Sequence, residues 1–167
     1  MSIPETMGDW KRTHNCGELR IEDEGREVVL MGWVNGVRDL GSLLFIDLRD
    51  RYGRTQLVID EGLNPSLHQK AKGLRSEFVI AIKGYVSQRE RGQKNPSLPT
   101  GDIEVKVEEL RVLNTSMVPP FSVDGVKEAS EILRMKYRYL DLRRPEISQR
   151  FVFRHNLVRE TREYLNL

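Results

Sequence analysis

The stretch "RDLGSLLFIDLRDRYGRTQLVI", residues 38–59, reads as a strand, a tight turn and a second strand. Period-two alternation sets Leu44, Ile46 and Leu48 on one face and Phe45, Asp47 and Arg49 on the other. A turn at Tyr52 and Gly53 places Arg49 opposite Gln56 and Leu48 opposite Leu57. Leu44, Ile46, Leu48, Thr55, Leu57 and Ile59 then share one apolar face. A three-residue turn with a bulge at Gly53 is the other arrangement, and it shifts the local pairing. The core face is assigned, and a large ring, Phe45, is left on the wet face among charges.

Working outward, EVVLMGWVN (27–35) is a β-rich run in which Gly32 predicts a bulge or sharp bend. Beyond the hairpin, Asn64 followed by Pro65 predicts a capped helix, continued by Leu67, Ala71 and Leu74 at helical spacing. FVIAIKGYVSQ (78–88) and DIEVKVEELRVL (102–113) supply two further strands. The order is three strands, one helix, two strands. That order predicts a mainly β chain folded as a five-stranded OB-fold barrel, whose second and third strands carry the usual binding face.

Residues 114–130 read as a linker, because Pro119 and Pro120 exclude regular structure and Gly125 loosens the residues after it. EILRMKYRYLDLRR (131–144) stops at Pro145, and a helical pattern from Ser148 to Leu167 aligns Phe153, Leu157, Thr161 and Tyr164, with Val158 and Leu165 alongside. An apolar stripe running off the chain without a cap predicts a chain cut from something longer, with that stripe exposed. The organisation expected is an extension (1–11), the barrel (12–113), the linker (114–130) and a helical region (131–167).

Among 167 residues, 31% are charged and 38% apolar, a balance of globular rather than disordered or membrane chains. No run of eighteen apolar residues occurs and MSIPETMGDWKR lacks a secretory pattern, so the expectation is a cytoplasmic protein with no membrane partner. One cysteine, Cys16, and three scattered histidines offer neither an internal disulfide nor metal-ligand spacing. Cys16 is expected to be an inert buried thiol. Arginines crowd the region from Arg134 to Arg162, fitting either phosphate-bearing partners or a solvated helix face. No P-loop, dinucleotide turn, nucleophile elbow or zinc motif is found.

On the barrel's binding face, Phe45 has two readings: a platform on which an unpaired base stacks, or a ring packed beneath a neighbouring segment. Arg38, Arg49 and Gln56 in the same hairpin region can contact phosphates or base edges, work the ring cannot do. The long loop QRERGQKNPSLPTG (88–101) brings Arg89, Arg91, Lys94 and Asn95. Glu104 alternates outward and can accept from the two adjacent donors of a guanine edge. Asp47, Asp50 and Asp60 are expected to cap turns and pair with Arg49, Arg51 or Arg54.

RTHNCGEL (12–19), GWVNGVRDLGSLLFIDLRDRYG (32–53), TGDIEV (100–105) and KYRYLDLRRPE (136–146) together resemble the N-terminal region of bacterial-type aspartyl-tRNA synthetases. The resemblance implies an OB-fold that binds the anticodon loop of tRNA(Asp), a hinge, and the first helix of a class II catalytic domain. It implies that the aromatic at Phe45 stacks on an anticodon base. Arg38, Gln56, Arg89 and Glu104 would contact the anticodon loop, and Asn95 would lie in the loop closing over it. The full-length enzyme would use ATP and Mg2+ as a homodimer, whereas this stretch, lacking the catalytic motifs, would need no cofactor and be inactive alone. Family members often carry a basic residue where Gly36 stands and another where Ser87 stands, so a looser grip on phosphate is expected. Leu40 resembles forms confined to tRNA(Asp). A different class of function, a stand-alone single-stranded nucleic-acid-binding OB module, would use the same face.

Overall fold

The computed structural model describes residues 4–90, 92–123 and 129–166. After a short 3-10 turn the strands are β1 (Glu27–Asp39), β2 (Leu43–Arg49), β3 (Arg54–Asp60), β4 (Val79–Gln88) and β5 (Ile103–Asn114), with α1 (Pro65–Lys72) between β3 and β4. Three helices come after the barrel: α2 (Glu131–Lys136), α3 (Arg138–Asp141) and α4 (Pro145–Leu165). The strands close into a barrel in the order β1-β2-β3-β5-β4, with β3 and β5 parallel and every other pair antiparallel. This is the expected five-stranded OB-fold arrangement.

The core face of the opening hairpin is as alternation predicts: Leu44, Ile46, Leu48, Thr55, Leu57 and Ile59 are each at most 1% exposed. The pairing itself differs, because Arg49 lies opposite Arg54, Leu48 opposite Thr55 and Asp47 opposite Gln56. The cause is the Asp50 carboxylate, which accepts from the amides of Tyr52 (2.7 Å), Gly53 (3.0 Å) and Cys16 (2.8 Å) and so widens the turn to Asp50–Gly53. The register moves by two residues, which keeps every side chain on its face. Cys16 is buried as expected, and burial pushes its thiol pKa up.

β1 departs from expectation in the position of its bulge. Gly32 is required by close approach instead: a Cβ there would lie 2.4 Å from the Arg49 carbonyl oxygen. The extra residue is Asn35, since Val34 pairs with Leu48 and Gly36 with Asp47. Asn64 caps α1 by accepting from the Leu67 amide at 3.0 Å, and Leu67, Ala71 and Leu74 join the barrel core.

The chain divides into two compact units, residues 1–118 and 119–167. In the second, Phe121, Val123 and Leu140 form a small cluster, and Asp141, with no exposed side-chain surface, takes a bond from Arg134 (2.8 Å) and one from Arg138 (2.5 Å). α4 begins at Pro145 rather than Ser148, because proline is tolerated in a helix's first turn. Its stripe is exposed, with Phe153 at 70%, Leu157 at 56% and Tyr164 at 76%. Among the described residues no helix is long and apolar enough to cross a membrane.

Candidate nucleic-acid interface

Cross-strand pairing builds two rows on the outer face of β1, β2 and β3. Arg38, Phe45 and Val58 form one row, and Gly36, Asp47 and Gln56 the other. Beyond β3, the parallel partner β5 brings Glu104 alongside Gln56. Arg38 Nη2 donates to Gln56 Oε1 at 2.9 Å, and Gln56 Nε2 donates to Glu104 Oε2 at 3.0 Å. Gln56 is 6% exposed, and its side-chain amide is oriented by a cation at one end and an anion at the other. Arg38 also pairs with Asp47 at 3.4 Å, where the sequence suggested Arg49, Arg51 or Arg54 for that carboxylate. Asp50 and Asp60 cap turns as expected.

Phe45 occupies the outer face but is not wet: only 9% of it is exposed. Val58 lies opposite it on β3, and the Arg38 guanidinium carbon stands 5.8 Å from the ring centroid. The ring belongs to the floor of a cleft of about 660 Å³, to which the β4–β5 loop contributes Gln93, Asn95 and Leu98. Alternation gives the face of a residue but not what folds over it.

Arg89, at 5% exposure, enters the same cleft. Its amide and Nε donate to the carbonyls of Asp102 (2.9 Å) and Ile103 (2.8 Å), which anchors the loop, while Nη2 is buried without a hydrogen-bond partner. Burial lowers the Arg89 pKa, and the attraction of Glu104 works the other way. For Glu104 burial raises the pKa, opposed by the Gln56 bond and by Arg89. Asn95 shapes the loop: its Oδ1 accepts from the Ser97 amide (3.1 Å) and hydroxyl (2.6 Å), and its own amide donates to the Gly101 carbonyl (3.0 Å). Lys94 pairs with Asp102 at 3.1 Å, and Arg91 lies outside the described residues.

The structure thus brings Arg38, Phe45, Gln56, Arg89 and Asn95 to one cleft, with Glu104 bonded to Gln56. Arg49, like Lys94, is a sequence candidate that the structure does not bring to the cleft. Its guanidinium bonds Glu77 at 2.5 Å and Asn35 at 3.0 Å, leaving the side chain 13% exposed. Sequence reasoning overlooked Arg54 and Leu98, which line the cleft only because turn and loop fold toward each other.

The family described as OB-fold nucleic acid binding domain matches residues 28–113. The aspartate–tRNA(Asp/Asn) ligase of Desulfotalea psychrophila is 54% identical over 165 residues, which is 99% of this chain and 27% of that protein. The enzyme of the same name from Oleidesulfovibrio alaskensis is 51% identical over 162 residues, 97% of this chain and 27% of its own length. Among solved structures, asparaginyl-tRNA synthetase from Pyrococcus horikoshii complexed with asparaginyl-adenylate superposes with a TM-score of 0.76 at 30% identity, covering 93% of this chain and 34% of that one. The chain therefore spans about 27% of the length of the curated relatives it matches.

Proposed function

Because the chain belongs to the family of OB-fold nucleic acid binding domains, we propose that it reads a tRNA anticodon loop, as the recognition part of a cytoplasmic aspartate–tRNA ligase. The observation that carries this reading is the hydrogen-bonded chain Arg38–Gln56–Glu104, whose first two members line one cleft with a buried aromatic. A splayed base offers a π-face and a hydrogen-bonding edge, and this cleft holds a partner for each. Glu104 keeps acceptor capacity beyond its single bond to Gln56, which suits the adjacent donors of guanine. Arg38, its side chain 59% exposed, supplies donors for acceptor edges or phosphate, and Arg89 fixes the loop beside it.

In this reading the whole enzyme activates aspartate with ATP and Mg2+ and, as a homodimer, transfers it to tRNA. The present chain supplies recognition and no chemistry. Among the described residues no group of three or more His, Cys, Asp or Glu side chains is placed to hold a metal ion. The names of the relatives include both tRNA(Asp) and tRNA(Asn). We extend the proposed substrates to both, against the narrower reading suggested by Leu40.

The test is a titration of the chain with an anticodon stem-loop bearing GUC and with a scrambled-loop control, at two salt concentrations. Preference for GUC that persists at the higher salt is expected. Equal binding of both RNAs would favour a generic single-stranded nucleic-acid module and sink the anticodon reading.

A further inference from the structure

Arg38 reaches the cleft only because β1 breaks its own alternation. Val34 faces the core with no exposed surface, so unbroken alternation would send Gly36 and Arg38 inward as well. The extra residue Asn35 reverses the faces: Val37 packs against the core and Arg38 comes to lie opposite Phe45. The contacts that fix the bulge therefore aim Arg38.

Two sets of contacts surround it. Val34 donates its amide to the Phe78 carbonyl at 2.9 Å and accepts from the Glu77 amide at 2.7 Å, so the residue before the bulge is clamped by a neighbouring segment. Arg49 Nε donates to Asn35 Oδ1 at 3.0 Å, and Arg49 Nη2 bonds Glu77 Oε1 at 2.5 Å. Glu77 closes the circuit, with its amide on Val34 and its carboxylate on the arginine that holds Asn35. It is 8% exposed, and among the described residues it alone, apart from glycines, has positive φ, at 66°. An L residue rarely adopts that conformation, and it persists where surrounding contacts over-determine it.

We propose that Asn35, Arg49 and Glu77 form a lock on the β1 bulge and act as positioning residues that aim Arg38 at RNA without touching it. The inference rests on the proposed role of Arg38 in the anticodon cleft, and its test separates the two.

Glu77→Gly is the informative variant, because glycine accepts the left-handed backbone and keeps the amide bond to Val34 while removing the carboxylate. Asn35→Ala, which deletes only the bond to Arg49, serves if the glycine variant fails to fold. Stem-loop affinity is measured for Glu77→Gly, Arg38→Ala and the double variant, with thermal midpoints and the NMR signals of the Gln56 side-chain amide. About a tenfold loss is expected for Glu77→Gly, the effect of one charge-assisted hydrogen bond, with no further loss when it is added to Arg38→Ala. The Gln56 amide, which accepts from Arg38, should move toward its Arg38→Ala position. Equal losses in both backgrounds, or an unmoved Gln56 amide, would overturn the lock. Should the unmodified chain bind no stem-loop, the anticodon reading fails, and the Gln56 signals alone decide the lock.

Discussion

Replacing Phe45 separates a packed ring from a stacking platform. The ring is 9% exposed yet lies outside the contiguous barrel core and borders an open cleft. Phe45→Ala therefore loses the transfer free energy of the ring, about 2 kcal/mol, without the closed-cavity contribution that raises core Phe→Ala costs to about 3–5 kcal/mol. Losing a base-on-aromatic stack costs about 1–3 kcal/mol of binding, or roughly 5- to 150-fold in affinity. Phe45→Leu keeps most of the apolar volume and removes the π-face, so it should stay within about 1.5 kcal/mol of the unmodified chain in stability. It should nonetheless bind the GUC stem-loop as weakly as Phe45→Ala. Urea unfolding and RNA titration on the three proteins give both quantities. If Phe45→Leu bound like the unmodified chain while Phe45→Ala lost stability and binding together, the ring would be packing alone.

Gly36→Lys should tighten binding. A Cβ at Gly36 meets nothing within 4 Å, and the position lies opposite Asp47 on the cleft's face. One added phosphate contact steepens the dependence of log K on log salt by about 0.7, with stability unchanged within about 0.5 kcal/mol; an unchanged slope would place the RNA backbone away from β1. In the second unit, the bond from Arg134 holds the Asp141 carboxyl below its ordinary value, with Arg138 and Arg144 assisting against burial. A lowered folded-state pKa contributes stability that is present above the unfolded value and lost as pH falls through the folded one. Acidification below about pH 4 should therefore melt α2, α3 and α4 at lower temperature, by circular dichroism, and Asp141→Asn should flatten that dependence. Identical acid profiles for the two proteins would rule out Asp141 as the titrating group.

Face assignment was legible in the hairpin because it depends only on parity. The register differs from the sequence expectation by two residues, yet no side chain changes face. The turn was not legible, since the Asp50 carboxylate that shapes it also binds the amide of Cys16, 34 positions away. The bulge escaped for a related reason. Gly32 carries a local signal, but at Asn35 the decisive partners are Arg49 and Glu77, on other segments of the chain.

Arg38 and Arg49 make the limit concrete. Both sit on the outer face of the same hairpin region, and their residue type and position offer both for RNA contact, with only the family resemblance favouring Arg38. Glu77 distinguishes them. The Arg49–Glu77 pair is largely buried, its side chains 13% and 9% exposed, so freeing Arg49 would strand a buried carboxylate. The Arg38 side chain is 59% exposed and its Asp47 contact is long at 3.4 Å, so a phosphate or base edge can compete for it at little cost. Availability for binding is thus set by how deeply each arginine's existing partner is buried. Such a partner can lie anywhere in the chain, and only the folded structure brings it near.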